Sequence, residues 1–154
     1  MLAISLDLGK VPSVLAALAD QANAQAVVDA AAEAFVQDTH DWIKAGNAFT
    51  PRTGRLEQSI GWHPNGDGSA DVYANADYAP YVEYGTGPRV ISARPGRDGV
   101  KVRAPGVGYV LARESNHPGS KPHPFFFIDL DNRQQHMQDR ALRVLAARMT
   151  QAGA

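Results

Sequence analysis

"KPHPFFFIDLDNRQQHMQDRALRVLAARM", residues 121–149, is where the chain changes its rhythm. Up to Pro124 it is punctuated by proline. Beyond it, Leu130, Met137, Ala141, Leu145 and Met149 recur at steps of seven and four, the spacing of one face of an α-helix. A closing helix is therefore expected from Phe125 to Gln151, with Asp129 and Asp131 near its start, where negative charge suits the helix dipole. Three consecutive phenylalanines cannot share one side of a helix. At least one of them, Phe125 foremost, is expected to pack against another segment or another subunit.

Working upstream, residues 85–121 are too rich in glycine and proline for a long helix. Within them "VKVR" and "YVLA" flank "APGVG", a pattern for a hairpin; the other reading is an extended arm that orders on a partner. Before this stretch stands "ADYAPYVEYGTGP", residues 76–88, with three tyrosines and a glutamate. Asp77 is placed to cap a short helix over 78–84, with Gly85 just beyond its end. Further back, "PNGDGS" separates strands expected over 59–63 and 70–74. Thr53 is positioned to cap a single turn through Leu56. An alanine-rich amphipathic helix is expected from Pro12 to about Ala45, with an interruption near Asn23 and an end at Gly46. Leu2, Ile4, Leu6 and Leu8 alternate with smaller and polar residues, as a strand would.

The order strand, helix, strands, helix indicates an α+β fold. We expect a small antiparallel sheet packed with a long N-terminal helix and a C-terminal helix, plus an extended Gly/Pro-rich basic arm or hairpin. The 154 residues read as a single domain over 1–154, with the arm at 85–121 inside it.

Composition narrows the function. With no cysteine, disulfides, thiolate metal sites and cysteine nucleophiles are excluded. No apolar run approaches the ~20 residues that cross a bilayer, and the N-terminus lacks the pattern of a secretory signal. The expectation is a protein made in a cytoplasm. The net charge of −1 argues against general coating of nucleic acid, yet it conceals an asymmetry. Residues 1–41 carry six acids and one base, whereas 89–121 carry seven bases and two acids. Opposite ends of neighbouring copies, or an acidic partner, would respond to that polarity.

Signals for catalysis are weak. No histidine pair has the helical zinc-protease spacing, Gly-x-Ser-x-Gly is absent, and "GTGP" lacks the third glycine of a dinucleotide fingerprint. His117 and His123 are candidates for a shared metal in a metal-dependent hydrolase, but a solvated loop role suits each of them better. No catalytic residue and no cofactor is assigned. For the tyrosine segment, Tyr78, Val82 and Tyr81 fit core packing, which leaves Glu83 and Tyr84 beside the basic arm.

Three blocks in order give a further lead: "TPRTGRLEQSI" (50–60), "ADYAPYVEYGTGP" (76–88) and "HPGSKPHPFFFIDL" (117–130). Together they resemble a family of small tail-completion and head–tail joining proteins of long-tailed bacteriophages. The residues carrying the resemblance are Thr53, Gly54, Leu56, Ser59 and Ile60; Tyr78, Ala79, Tyr81, Val82, Glu83, Tyr84, Gly85 and Thr86; and Pro118, Gly119, Pro122, Pro124 and Phe125. The resemblance implies a virion structural protein with an α+β fold that forms a ring, commonly of six copies. Its implied place is the neck, between head-closure proteins and the tail terminator, with DNA passing through. Terminator proteins of similar size also form rings, so the terminator position is the alternative. In such a ring, Tyr81, Glu83 and Tyr84 are expected to contact a neighbouring subunit. Arg89, Arg94, Arg97, Lys101 and Arg103 of the basic arm are expected to reach an adjoining ring, and Phe125 is counted with the interface.

Overall fold

The computed structural model describes residues 1–7, 21–50 and 52–152. Three antiparallel strands form its main sheet: β1 (Leu2–Asp7), β2 (Ile60–Pro64) and β3 (Ser69–Ala74), in the order β1-β3-β2. Opposite residues share a face, and the register sets Leu2 and Ile60 against Ala74, and Ile4 and Trp62 against Val72. That apolar face is covered by α1 (Gln21–Lys44), which buries Val28, Ala31, Ala32, Phe35 and Ile43. Ala31 and Ala32 are fully buried; side chains this short bring the helix axis close to the sheet. Each large side chain buried here, such as Phe35 or Val72, contributes roughly 1.5–3 kcal/mol. The opposite face carries Ala3, Ser5, Asp71 and Tyr73, the small and polar complement expected of a one-sided antiparallel sheet.

α1 runs unbroken through Asn23, so the interruption expected there is absent. The part of the expected helix over 12–20, like Leu8 of the first strand, lies outside the described residues. Gln25 ties the helix to the β2–β3 turn: its amide nitrogen donates to the Ser69 carbonyl at 3.2 Å, and its oxygen accepts from the Gly68 N–H at 3.1 Å. The helix ends at Lys44, with Gly46 beyond it at a φ of 75°.

The turn after α1 departs from expectation. α2 spans Arg55–Gln58, and Gly54, not Thr53, precedes it, in the left-handed conformation with a φ of 67°. Glycine enters that region without steric cost, so the backbone itself turns into the helix and no side-chain cap bond is made. α3 follows over Ala79–Tyr84, opening at Ala79 rather than Tyr78.

The last helix, α4, covers Leu130–Ala152 and packs along α1. It starts five residues later than the spacing suggested, because residues 125–129 form a separate turn held by side chains from elsewhere. Met137, Ala141 and Leu145 are buried, but Leu130 and Met149, read as parts of the same stripe, are exposed.

Contacts divide the chain into two compact units, Met1–Glu83 with His123–Ala154, and Tyr84–Pro122. In the second, β4 (Arg89–Ser92) pairs with β7 (Glu114–His117), and β5 (Val100–Ala104) pairs with β6 (Gly108–Ala112), both antiparallel. The β5–β6 hairpin lies where the "VKVR…YVLA" pattern put it. The β4–β7 pair had no such local signal, since 21 residues separate its strands.

Candidate functional site

Glu83 is 3% exposed and Phe125 is fully buried, although both were expected at an interface. The Glu83 carboxylate accepts three backbone N–H groups in succession: Oε2 from Phe125 (2.8 Å) and Phe126 (2.9 Å), Oε1 from Phe127 (3.0 Å). Consecutive amides can converge on one acceptor only in a tight turn, which is why the phenylalanines precede α4 instead of beginning it. Phe125 and Phe126 drive into the core, Phe126 meeting Phe35 edge-on at 5.3 Å and Phe125 meeting Phe49 at 6.1 Å.

The carbonyl side of the same turn faces a cation. Arg133, 4% exposed, donates from Nη2 to the Phe125 carbonyl (2.9 Å) and from Nη1 to the Phe126 carbonyl (2.9 Å) and Thr39 Oγ1 (3.0 Å). Thr39, fully buried on α1, donates its own O–H to the Phe35 carbonyl at 2.8 Å. The guanidinium also lies over the Phe35 ring, 5.2 Å from its centre. Burial pushes the Arg133 pKa below its ordinary value, an effect opposed by the carboxylates of Asp38, Asp129 and Glu83. His123 completes the knot: its N–H donates to the Val82 carbonyl (2.8 Å), and its Nδ1–H donates to the Ala48 carbonyl (2.9 Å).

Within the second unit, the Gly-Thr and Pro-Gly motifs meet. Thr86 and Ser120 form an antiparallel bridge with two backbone bonds of 3.0 Å, and Thr86 Oγ1 accepts a further bond from the Ser120 N–H. Gly85 and Gly119, with φ values of 73° and 90°, make that approach possible. A Cβ on Gly119 would overlap the Thr86 carbonyl oxygen, and one on Gly85 would press on the Ser120 carbonyl. The first block has a comparable role. Leu56 and Ile60 enter the core, and Ser59 Oγ donates to the Leu56 carbonyl at 2.7 Å.

The remaining expected residues point outward. Tyr81 and Tyr84 are 61% and 63% exposed, and Tyr78, read as core, is 43% exposed. Among the tyrosine segment's apolar positions, Ala79 is fully buried in the core, and Ala76 and Val82 pack against it. Arg89, Arg94, Arg97, Lys101 and Arg103 are exposed. The two candidate metal histidines have structural bonds, His123 as above and His117 Nδ1 accepting from the Gly119 N–H at 3.0 Å. Among the described residues no three His, Asp or Glu side chains come together as metal ligands, and no helix is long and apolar enough to cross a membrane.

Thr39 stands on the three- and four-residue spacing of the first helix, but its bond to Arg133, and Arg133 itself, were missed in the sequence. Arg133 was findable: it stands four residues before Met137, on the stripe continued by Ala141 and Leu145, and a cation on a buried stripe asks for acceptors.

The fates of the motif residues make comparison with known proteins informative. Residues 10–85 match the family described as "HK97-gp10_like: Bacteriophage HK97-gp10, putative tail-component". This is a phage tail-component family. The matched segment covers about half of the chain, holds the first block, and ends on Gly85 in the second. No curated protein and no solved structure gives a significant match. The phage tail kinship read from the three blocks is thus met by the family match, and the clamp links the matched half to the third block outside it, through Glu83 and Phe125–Phe127.

Proposed function

We propose that this protein is a non-enzymatic structural component of a phage virion. In this reading it assembles in the host cytoplasm as a homo-oligomeric ring, six copies in the neck, that completes the tail and joins it to the head. Its neighbours are a head-closure protein on one side and the tail terminator or tail tube on the other. DNA passes through without sequence-specific binding. The family match supports the phage tail-component part of this reading, and the three sequence blocks suggest the neck position. The geometry supports it, because the motif side chains Glu83, Thr86 and Ser59 bond to backbone within the chain, and Tyr81 and the arm arginines are exposed.

Electron microscopy of a lysate from phage lacking the gene tests the proposal. Filled heads beside separate tails of normal length are the expected outcome. Overlong tails would move the protein to the terminator position, and complete infectious particles would overturn the structural role. Stoichiometric zinc in the purified chain would favour the metal-dependent hydrolase.

A further inference from the structure

The two units differ in charge. Met1–Glu83 with His123–Ala154 holds fourteen acidic against eight basic residues, and Tyr84–Pro122 holds two acidic against seven basic. A chain so polarised is complementary to a second copy of itself in a head-to-tail sense, the arrangement that closes rings.

One surface of the basic unit is suited to that contact. In the β5–β6 hairpin Lys101 pairs with Leu111 and Arg103 with Tyr109, so these four share a face. Lys101 Nζ lies 4.8 Å from the centre of the Tyr109 ring. Tyr109 is 67% exposed and Leu111 63%, and both cations are exposed. A two-stranded ribbon is marginal in water by itself. A contact with another molecule would cover these exposed side chains.

The acidic unit offers a matching stripe. Asp29, Glu33, Gln37 and Asp41 stand four apart along α1, on its outer edge. Gln25 and Gln37 donate to Asp29 and Asp41 at 2.8 and 2.9 Å, which orients the two carboxylates without neutralising them. Lys44, at the helix end, bonds to Glu57 at 3.5 Å, and Arg140 comes only within 4.0 Å of Glu33. The stripe from Asp29 to Asp41 is about 18 Å long at 1.5 Å per residue, long enough to take the roughly 13 Å from end to end of β5.

We infer that the Lys101/Arg103/Tyr109/Leu111 face of one copy docks on the Asp29–Asp41 stripe of the next. This rests on the ring proposed above and specifies its subunit contact. Nucleic acid fits this surface less well, because Leu111 and Tyr109 add apolar area and the complementary acids belong to the chain itself.

The absence of cysteine allows a direct test. Phage lacking the gene are complemented with a chain carrying both Arg103→Cys and Glu33→Cys, and purified particles are oxidised. The expected result is a ladder of disulfide-linked multimers on a denaturing gel, absent for either single variant. If the chain is in the particles as a wild-type lysine-crosslinked ring but the cysteine ladder is missing, the docking contact is overturned and the ring stands. Absence of the wild-type chain from the particles overturns both. Conversion to an intramolecular disulfide, or hairpin crosslinked to DNA instead, also overturns the docking contact.

Discussion

Glu83 and Arg133 grip one turn by its two polar sides, the carboxylate taking the amides of Phe125, Phe126 and Phe127 and the guanidinium taking the carbonyls of Phe125 and Phe126. Neither charge needs the other as a direct partner, because the peptide dipoles between them mediate the attraction. The segment carries two large buried rings and five backbone groups satisfied by two side chains.

Glu83→Ala leaves three N–H groups without their acceptor. Each orphaned buried donor costs about 1–3 kcal/mol, and hydrogen bonds to charged groups lie at the upper end. A fall in Tm on the order of 10 °C is expected for a chain of this size. Glu83→Gln should cost less, since one oxygen remains and a single N–H faces an amide donor. Thermal unfolding of the purified variants checks both, and equal effects would contradict the geometry.

Arg133→Lys should destabilise by about 2 kcal/mol, because an ammonium cannot match a planar fork reaching two carbonyls and a hydroxyl. A double-mutant cycle with Glu83→Ala should be non-additive, since both residues hold the same turn; coupling of roughly 0.5–3 kcal/mol is typical of shared networks. Urea midpoints of the two single variants and the double variant provide the test.

Gly119→Ala places a methyl against the Thr86 carbonyl at a φ unfavourable to alanine. The expected outcome is a local one: faster proteolysis and faster hydrogen exchange within residues 84–122, with exchange in α1 and α4 unchanged.

Tyr81→Ala and Tyr84→Ala alter exposed positions, so Tm should shift by less than that of Glu83→Ala, within about 0.5 kcal/mol of stability. Incorporation into particles should nonetheless drop. A variant chain that enters particles as efficiently as the wild type would remove the tyrosines from the interface.

Asp67 introduces a pH dependence. Its carboxylate accepts from Ser69 Oγ at 2.6 Å and from the Ser69 N–H at 3.0 Å, and these bonds, the hydroxyl foremost, lower its pKa. A lowered folded value means that the turn's added stability is present above the ordinary carboxylate range and is lost as pH falls through the folded value. Asp67→Asn should flatten the acid limb of a stability-against-pH curve by lowering stability at neutral pH, with little change at low pH, where Asp67 is already protonated.

Periodicity made most of the framework legible: the alternation in Leu2–Asp7, the four-residue steps of α1 and the Asn-Gly-Asp-Gly turn all report local preference. What sequence could not provide was the use of polar side chains over long separations. Glu83 looks like any surface glutamate until a turn more than forty residues later supplies its donors, and Thr39 is defined by an arginine 94 positions away. Glu83 and Phe125 were expected at an interface, and within the chain Phe125 is fully buried and the Glu83 carboxylate is taken up by backbone N–H groups.

The chain departs at Val82 and comes back at His123 across a single 2.8 Å hydrogen bond, and a few residues further out Thr86 and Ser120 close the gap again. Geometrically, everything between is a detour. The cost of closing a loop rises only slowly with its length, so a detour pinched at its neck can lengthen, shorten or be exchanged while the rest of the molecule keeps its bonds. On the contact proposed above, related virions would keep the rest of the chain and refit the segment that meets their particular neighbours.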